Sequence, residues 1–275
     1  MKKKIFGKLA VVALFLSLLS GCRLLEETET TSSTSATASS NLPQPTKAPV
    51  PQILPRKVSD TSPYLKLEWD GTLKNILVDV NQNNPTFTEA ELTQDAAKGS
   101  WVTFSALDDR GRVGTADALL CESVLKAIGE MKRPAIPAKN PTAWKTNGKS
   151  NNRQVKVDGK ATWLYNRSHI IGWQLAGDAG TKENIMTGTR PFNSPGMLYY
   201  EMTIANYLET HPTMHVRYRV IPDFRGDELL VRGVGLMAES VEDKGATLAF
   251  NGYVFNDTPG VTFNYENGTS MGQGK

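Results

Sequence analysis

An α+β domain is predicted, built on a central, mostly antiparallel sheet with flanking helices, and three observations lead to it. The stretch His215-Val216-Arg217-Tyr218-Arg219-Val220-Ile221 alternates with period two, the pattern of a strand with one face turned to a core. Two further strand-like runs, 229–237 and 248–255, follow it closely. Helical spacing recurs upstream, and a sheet that buries one face under helices is the simplest assembly of such segments.

Before the domain comes a segment with another purpose. Met1-Lys2-Lys3-Lys4 is a positive start, and 9–19 is apolar apart from Ser17, too short for an ordinary membrane-spanning helix and typical of an export signal. It closes on Leu19-Ser20-Gly21-Cys22, which resembles the lipobox of bacterial lipoproteins, so residues 1–22 are expected to be a signal peptide and Cys22 the lipidated N-terminus. Residues 23–62, rich in Ser, Thr, Ala and Pro, bury too little apolar surface to fold and read as a flexible tether. The domain is then expected over 63–270, exported and anchored at the outer face of the bacterial cytoplasmic membrane, with shedding to the medium as a variant. The second of the two cysteines, Cys121, lies in an apolar stretch without metal-ligand spacing, and stability must come from a core instead of disulfides.

Along the domain, 64–69 alternates and reads as a strand, with 75–80 as its partner. Residues 88–98 read as a short helix capped by Thr88, 101–105 as a strand and 107–112 as a turn. Ala118, Leu119, Val124, Leu125 and Ile128 cluster at helical spacing, which predicts a helix over 115–132. Residues 161–165 are strand-like and lead to His169, and 194–208 read as a helix.

Charge is unevenly distributed. Setting Lys2, Lys3, Lys4 and Lys8 aside with the signal leaves 27 of the 31 basic side chains against 28 acidic ones. A polyanion would therefore have to meet a local basic region. Residues 126–169 provide one: ten Lys and Arg, among them Lys145, Lys149, Arg153 and Arg167, stand against Glu130 and Asp158 alone. Trp144, Trp163 and Tyr165 are interleaved, which suits a groove that follows a phosphate backbone and stacks exposed bases. The same composition would also fit a soluble loop with its aromatics in the core.

Of three histidines, His211 and His215 are separated by Pro212 and lack the glutamate of a zinc-protease helix. His169 stands in Asn166-Arg167-Ser168-His169, within the basic region. Downstream lies Glu183-Asn184-Ile185-Met186-Thr187-Gly188-Thr189-Arg190-Pro191-Phe192-Asn193, followed by Leu198-Tyr199-Tyr200-Glu201. Together these segments resemble the DNA/RNA non-specific endonuclease family, with its streptococcal-type secreted DNases and DNA-entry nucleases. Asn184 and Asn193 keep the family's spacing between two asparagines, and the likeness reaches 67–69, 107–112, 216–220 and 250–254. Where many relatives carry Asp-Arg-Gly-His, this chain has Asn166 and Ser168 around the retained Arg167 and His169.

The resemblance implies a ββα-metal active site. His169 would be the general base, Arg167 would lie beside the scissile phosphate, and Asn193 would hold one Mg²⁺, with Mn²⁺ as a substitute. Asn184 and Glu201 would support the metal site, and Lys145, Lys149, Arg153 and Arg190 would contact DNA, and RNA in the same way. Cleavage would leave 5′-phosphate ends. A hard ion on an oxygen ligand suits a segment without histidine–cysteine clusters. No protein partner is implied. The alternatives are an anchored nucleic-acid-binding protein without catalysis and a transporter's solute-binding lipoprotein, neither of which needs the His169–Asn193 pair.

Overall fold

In the computed structural model, which describes residues 52–54, 62–96, 99–136 and 140–273, the chain forms β1 (Gln52–Leu54), β2 (Leu77–Asp79), α1 (Glu89–Leu92), β3 (Trp101–Ser105), β4 (Ala116–Cys121) and α2 (Glu122–Glu130). There follow β5 (Lys145–Thr146), β6 (Lys149–Ser150), β7 (Gln154–Val157), β8 (Lys160–Trp163), β9 (Tyr165–His169), α3 (Trp173–Ala176), β10 (Ile185–Thr189) and α4 (Leu198–Thr210). Last come β11 (His215–Asp223), β12 (Gly233–Ser240), β13 (Ala249–Phe255), β14 (Thr262–Phe263) and β15 (Ser270–Met271). Cys22, the signal and nearly all of the expected tether lie outside the described residues.

Seven strands share one sheet in the order β1-β3-β4-β11-β12-β13-β2, antiparallel throughout except for β1 beside β3. The alternating strand β11 lies at its centre. Val216, Tyr218 and Val220 enter the main core, where they meet Leu175 of α3 and Ile204 and Leu208 of α4. Arg217 belongs to the opposite face yet is fully buried, with its guanidinium on Asp117 at 2.6 Å and on the carbonyl oxygens of Glu91 and Ala118 at 3.0 Å. The rings of Trp101 and Phe87 cover it at 4.7 and 5.2 Å. A buried guanidinium is tolerable only when its donors are matched in this way.

Several expected elements differ. Residues 116–121 form a strand, so the expected helix starts only at Glu122. Both faces of β4 are enclosed, and an enclosed strand carries a continuous apolar run that imitates helical spacing. Residues 64–67 turn instead of extending, with the Leu67 N–H on the Tyr64 carbonyl, and β2 pairs with β13. Thr88 caps its helix through a reciprocal box with Glu91, but α1 ends at Leu92, and 97–98 lie outside the described residues. The sheet also begins earlier than the expected boundary at 63, since Gln52–Leu54 pairs with Thr103–Ser105.

A smaller apolar cluster, with Val155, Leu164, Tyr165, Leu230 and Val261 at its centre, joins the β5–β8 hairpins to the chain's last strands. It forms the base of the region described next.

Candidate active site

Strands β9 and β10 form a two-stranded antiparallel ribbon, from His169 opposite Ile185 to Tyr165 opposite Thr189. After β10 the chain makes a wide π-type turn over Phe192–Met197 and continues into α4. His169 thus ends the first strand, and Asn193 stands in the turn that opens the helix. Widened turns of this kind re-aim a side chain away from the regular helical course. Gly188 allows the close approach: a Cβ there would lie 2.4 Å from Ser168 Oγ and 2.6 Å from the Phe192 ring.

The orientation of His169 is set by the loop that follows it. Asn184, fully buried, accepts the N–H groups of Ile170 and Ile171 on Oδ1, both at 3.0 Å, and donates through Nδ2 to the Ile171 carbonyl and to Asp178, both at 3.2 Å. Asp178 in turn accepts from the Gly180 and Thr181 N–H groups at 2.9 Å and from the Thr181 hydroxyl at 2.7 Å. The loop held between these anchors brings the Ala179 carbonyl 3.3 Å from His169 Nε2. A carbonyl can only accept, so Nε2 carries the proton and Nδ1 keeps its lone pair. Burial holds the imidazole below the usual histidine pKa, with Arg133 adding to the shift and the Ala179 bond and Asp178 opposing it. The ring is therefore neutral near pH 7.

Asn193 lines two adjoining recesses together with His169 and Arg133. The smaller one also reaches Glu201 of α4, whose Oε1 accepts the Gly172 N–H at 2.8 Å. A Cβ on residue 172 would lie 2.5 Å from that carboxyl, so glycine is required for the contact. Burial pushes the Glu201 carboxyl up to about 7, against the opposing effects of the Gly172 N–H and Arg133.

These residues fit a hard divalent ion of the kind the resemblance implies. Asn193 lines both recesses, and none of the hydrogen bonds found among the described residues uses its side chain. Among the described residues no group of three or more His, Cys, Asp or Glu could enclose a metal. A single amide oxygen with water completing the shell is compatible with a hard divalent ion. Asn184, in contrast, has both lone pairs of its oxygen engaged by backbone, so of the roles implied for it the neighbouring, positioning one fits.

The larger recess is a cleft of about 660 Å³. Arg167 lines it, donating from Nη2 to Asn140 at 3.0 Å and lying over the Trp144 ring at 4.6 Å. Lys145 and Lys149 are exposed on the β5–β6 hairpin, and Arg190 is exposed at the end of β10. Arg153 differs from its neighbours: its guanidinium donates to Ser270 at 3.1 Å and to the Gly272 carbonyl at 2.7 Å, fastening the chain's end to β7. Tyr165 is core, with its hydroxyl on the Gly268 carbonyl at 2.8 Å, while Trp163 is 55% exposed. His211 stacks on Tyr207, and His215 pairs with Glu242 at 2.6 Å, both away from the cleft.

Sequence reasoning did not single out Asp178, Gly172 or Arg133 as site residues. The first had a signal in Gly177-Asp178-Ala179-Gly180-Thr181, a composition suited to an Asx turn. The other two have none, because their partners arrive from α4 and β9.

Two strands, a loop held by side chains, and a helix, with histidine on the first strand and asparagine ahead of the helix, define a ββα-metal arrangement. The chain belongs to the DNA/RNA non-specific endonuclease family, whose pattern matches residues 92–242. A deoxyribonuclease of Streptococcus dysgalactiae subsp. equisimilis is 32% identical over 109 residues, which are 38% of this chain and 32% of that protein. The match thus spans about a third of the curated relative's length. Among solved structures, Sda1 nuclease with bound zinc ion is 25% identical with a TM-score of 0.56, over 62% of this chain and 79% of that one. The magnesium-bound NucA from Streptococcus agalactiae shares the fold with a TM-score of 0.58 at 21% identity, over 71% of this chain and 88% of that one.

Proposed function

We propose that the protein is a metal-dependent endonuclease without sequence preference that hydrolyses the phosphodiester bonds of DNA, and of RNA through the same backbone contacts. One observation carries the reading: His169 donates from Nε2 to the Ala179 carbonyl, which leaves Nδ1 as a neutral base in a cleft shared with Asn193 and next to Arg167. In the proposed reaction Nδ1 takes a proton from water as the water oxygen attacks phosphorus. The bond to the 3′ oxygen breaks, that oxygen takes a proton from solvent, and the products are a 5′-phosphate and a 3′-hydroxyl. Arg167, held by Asn140 and Trp144, would meet the phosphate charge.

Asn193 would hold the divalent ion, with Glu201 accepting hydrogen bonds from its water shell. When bound, the ion supplies charge neutralisation at the phosphate and the departing oxygen. Contact to phosphates in place of base edges accounts for cutting without sequence preference. The leader suggests where this happens: exported, and held at the membrane's outer face through lipid on Cys22, with the domain beyond the tether.

The test is digestion of plasmid DNA and of RNA with Mg²⁺, with Mn²⁺ and with excess chelator, by the wild type and by His169→Ala. Cleavage should depend on the metal and recover when it is restored, and the variant should lose about 10²–10⁴-fold of the rate, the usual contribution of a general base. Full activity of a folded His169→Ala protein would sink the assignment. Cys22→Ser should release the protein from the membrane fraction.

A further inference from the structure

Trp163 is a large aromatic side chain left more than half exposed in the wall of the cleft. Its neighbours there are otherwise occupied. Trp144 already carries the Arg167 guanidinium on its ring, and Tyr165 is buried, with its hydroxyl on a backbone carbonyl. Asn152 holds the Tyr165 backbone from both ends of its amide, donating at 3.0 Å and accepting at 2.9 Å. Beside them, Asn166 lines the same cleft, and its buried amide nitrogen has no hydrogen-bond partner.

One open aromatic face, in a cleft of about 660 Å³ that also contains His169 and Asn193, forms a receptor for a single flat heterocycle adjacent to the reacting phosphate. We infer that this part of the cleft takes one unstacked nucleobase, which lies on the face of Trp163, so that the preferred substrate is single-stranded or locally melted nucleic acid. This inference rests on the nuclease reading above and deepens it.

The preference follows from what a base must do to reach the ring. In a duplex both faces of each base are covered by its neighbours, so contact with Trp163 requires that the base leave the stack and lose its pair. A single strand meets that condition at much smaller cost. Stacking on an aromatic side chain tolerates any base, since all present a π-face. The subsite therefore selects strand state without selecting sequence.

The experiment compares one sequence as a single strand, as a perfect duplex and as a duplex with an unpaired bulge, cut by the wild type, Trp163→Ala and Trp163→Phe. The single strand and the bulge should be cut faster than the perfect duplex. Trp163→Ala should lower kcat/KM on the single strand roughly tenfold to a hundredfold, the value of one stacked base, and should lower it less on the duplex. Trp163→Phe should recover most of the loss. A binding readout is independent of turnover: in chelator, oligothymidylate should quench the tryptophan fluorescence of His169→Ala, and the added Trp163→Phe change should remove most of the quench. Equal rates on all three substrates, or a Trp163→Ala loss that is the same for single strand and duplex, would overturn the subsite while leaving the nuclease intact. A wild type that cuts nothing would instead refute the nuclease reading itself.

Discussion

The ribbon that carries His169 and the hairpins that precede it come from one stretch of chain, yet they treat polar side chains in opposite ways. Around the ribbon, the amide of Asn184 and the carboxylate of Asp178 are engaged by backbone or by each other, and Glu201 reaches across from α4 to Gly172. On the hairpins, Lys145 and Lys149 are exposed, and in the cleft Trp163 is open and Asn166 keeps an unpaired donor. The first region fixes one imidazole; the second leaves surface for something that is not protein. Preorganisation belongs where a proton must move, and adaptable contact where a long and variable polymer must slide.

The sharpest way to break this contrast is to cut the network that orients the histidine. Asn184→Ala would leave the buried Ile171 N–H without its acceptor, whereas the Ile170 N–H keeps the backbone carbonyl of residue 184 at 2.9 Å and Asp178 keeps Gly180 and Thr181. We expect a loss of about 1–3 kcal/mol in chemical denaturation, the cost of one unsatisfied buried group, and a fall in kcat that exceeds any change in KM. A variant with wild-type stability would show that the loop is held by other contacts.

Glu201→Gln tests the same network more gently, because the amide oxygen can still accept from Gly172. The wild-type carboxyl is raised to about 7, so the folded state binds its proton more tightly than the unfolded chain does. Its contribution is complete below the unfolded carboxyl range and is lost as pH rises through about 7. In chelator, thermal melts between pH 5 and 8 should therefore fall more steeply for the wild type than for Glu201→Gln, and parallel curves would refute the assignment.

The smallest effects are expected on the hairpins, where they also separate two kinds of cation. Lys145→Ala with Lys149→Ala should weaken DNA binding by inactive His169→Ala protein and reduce the slope of log K against log salt by up to about two, with little change in stability. Arg153→Ala should do the reverse, leaving the salt slope nearly unchanged and loosening the chain's end, since its donors hold Ser270 and Gly272. A lower salt slope for Arg153→Ala would place that arginine with the lysines after all.

Local regularity explains which parts of the fold could be read in advance. Strand β11 announced itself by alternation, and its partners β12 and β13 by apolar strand-like runs, of which the first begins at Gly233 instead of the expected 229. Thr88 announced its helix cap by residue type alone, and the structure adds the reciprocal bond from Glu91. Residues 116–121 misled, since Ala118 and Leu119 form part of an enclosed strand whose spacing happens to match a helix turn. At the site, His169, Arg167 and Asn193 were legible through their motif spacing. Arg133 and Gly172 were not, because each matters only through a group that is distant in sequence.

By itself, then, the sequence determined the class of fold, the family motif to which His169 and Asn193 belong, and the concentration of positive charge before them; these depend on residue type and short-range spacing. Only the tertiary structure decided which nitrogen of His169 is free, that the Asn184 amide is engaged by backbone and Asp178, that Arg153 is occupied, and that Trp163 offers an open ring in the cleft. Those outcomes depend on which groups meet across the fold. Hydrogen-bond partners and burial are properties of such meetings, and no local pattern in the chain encodes them.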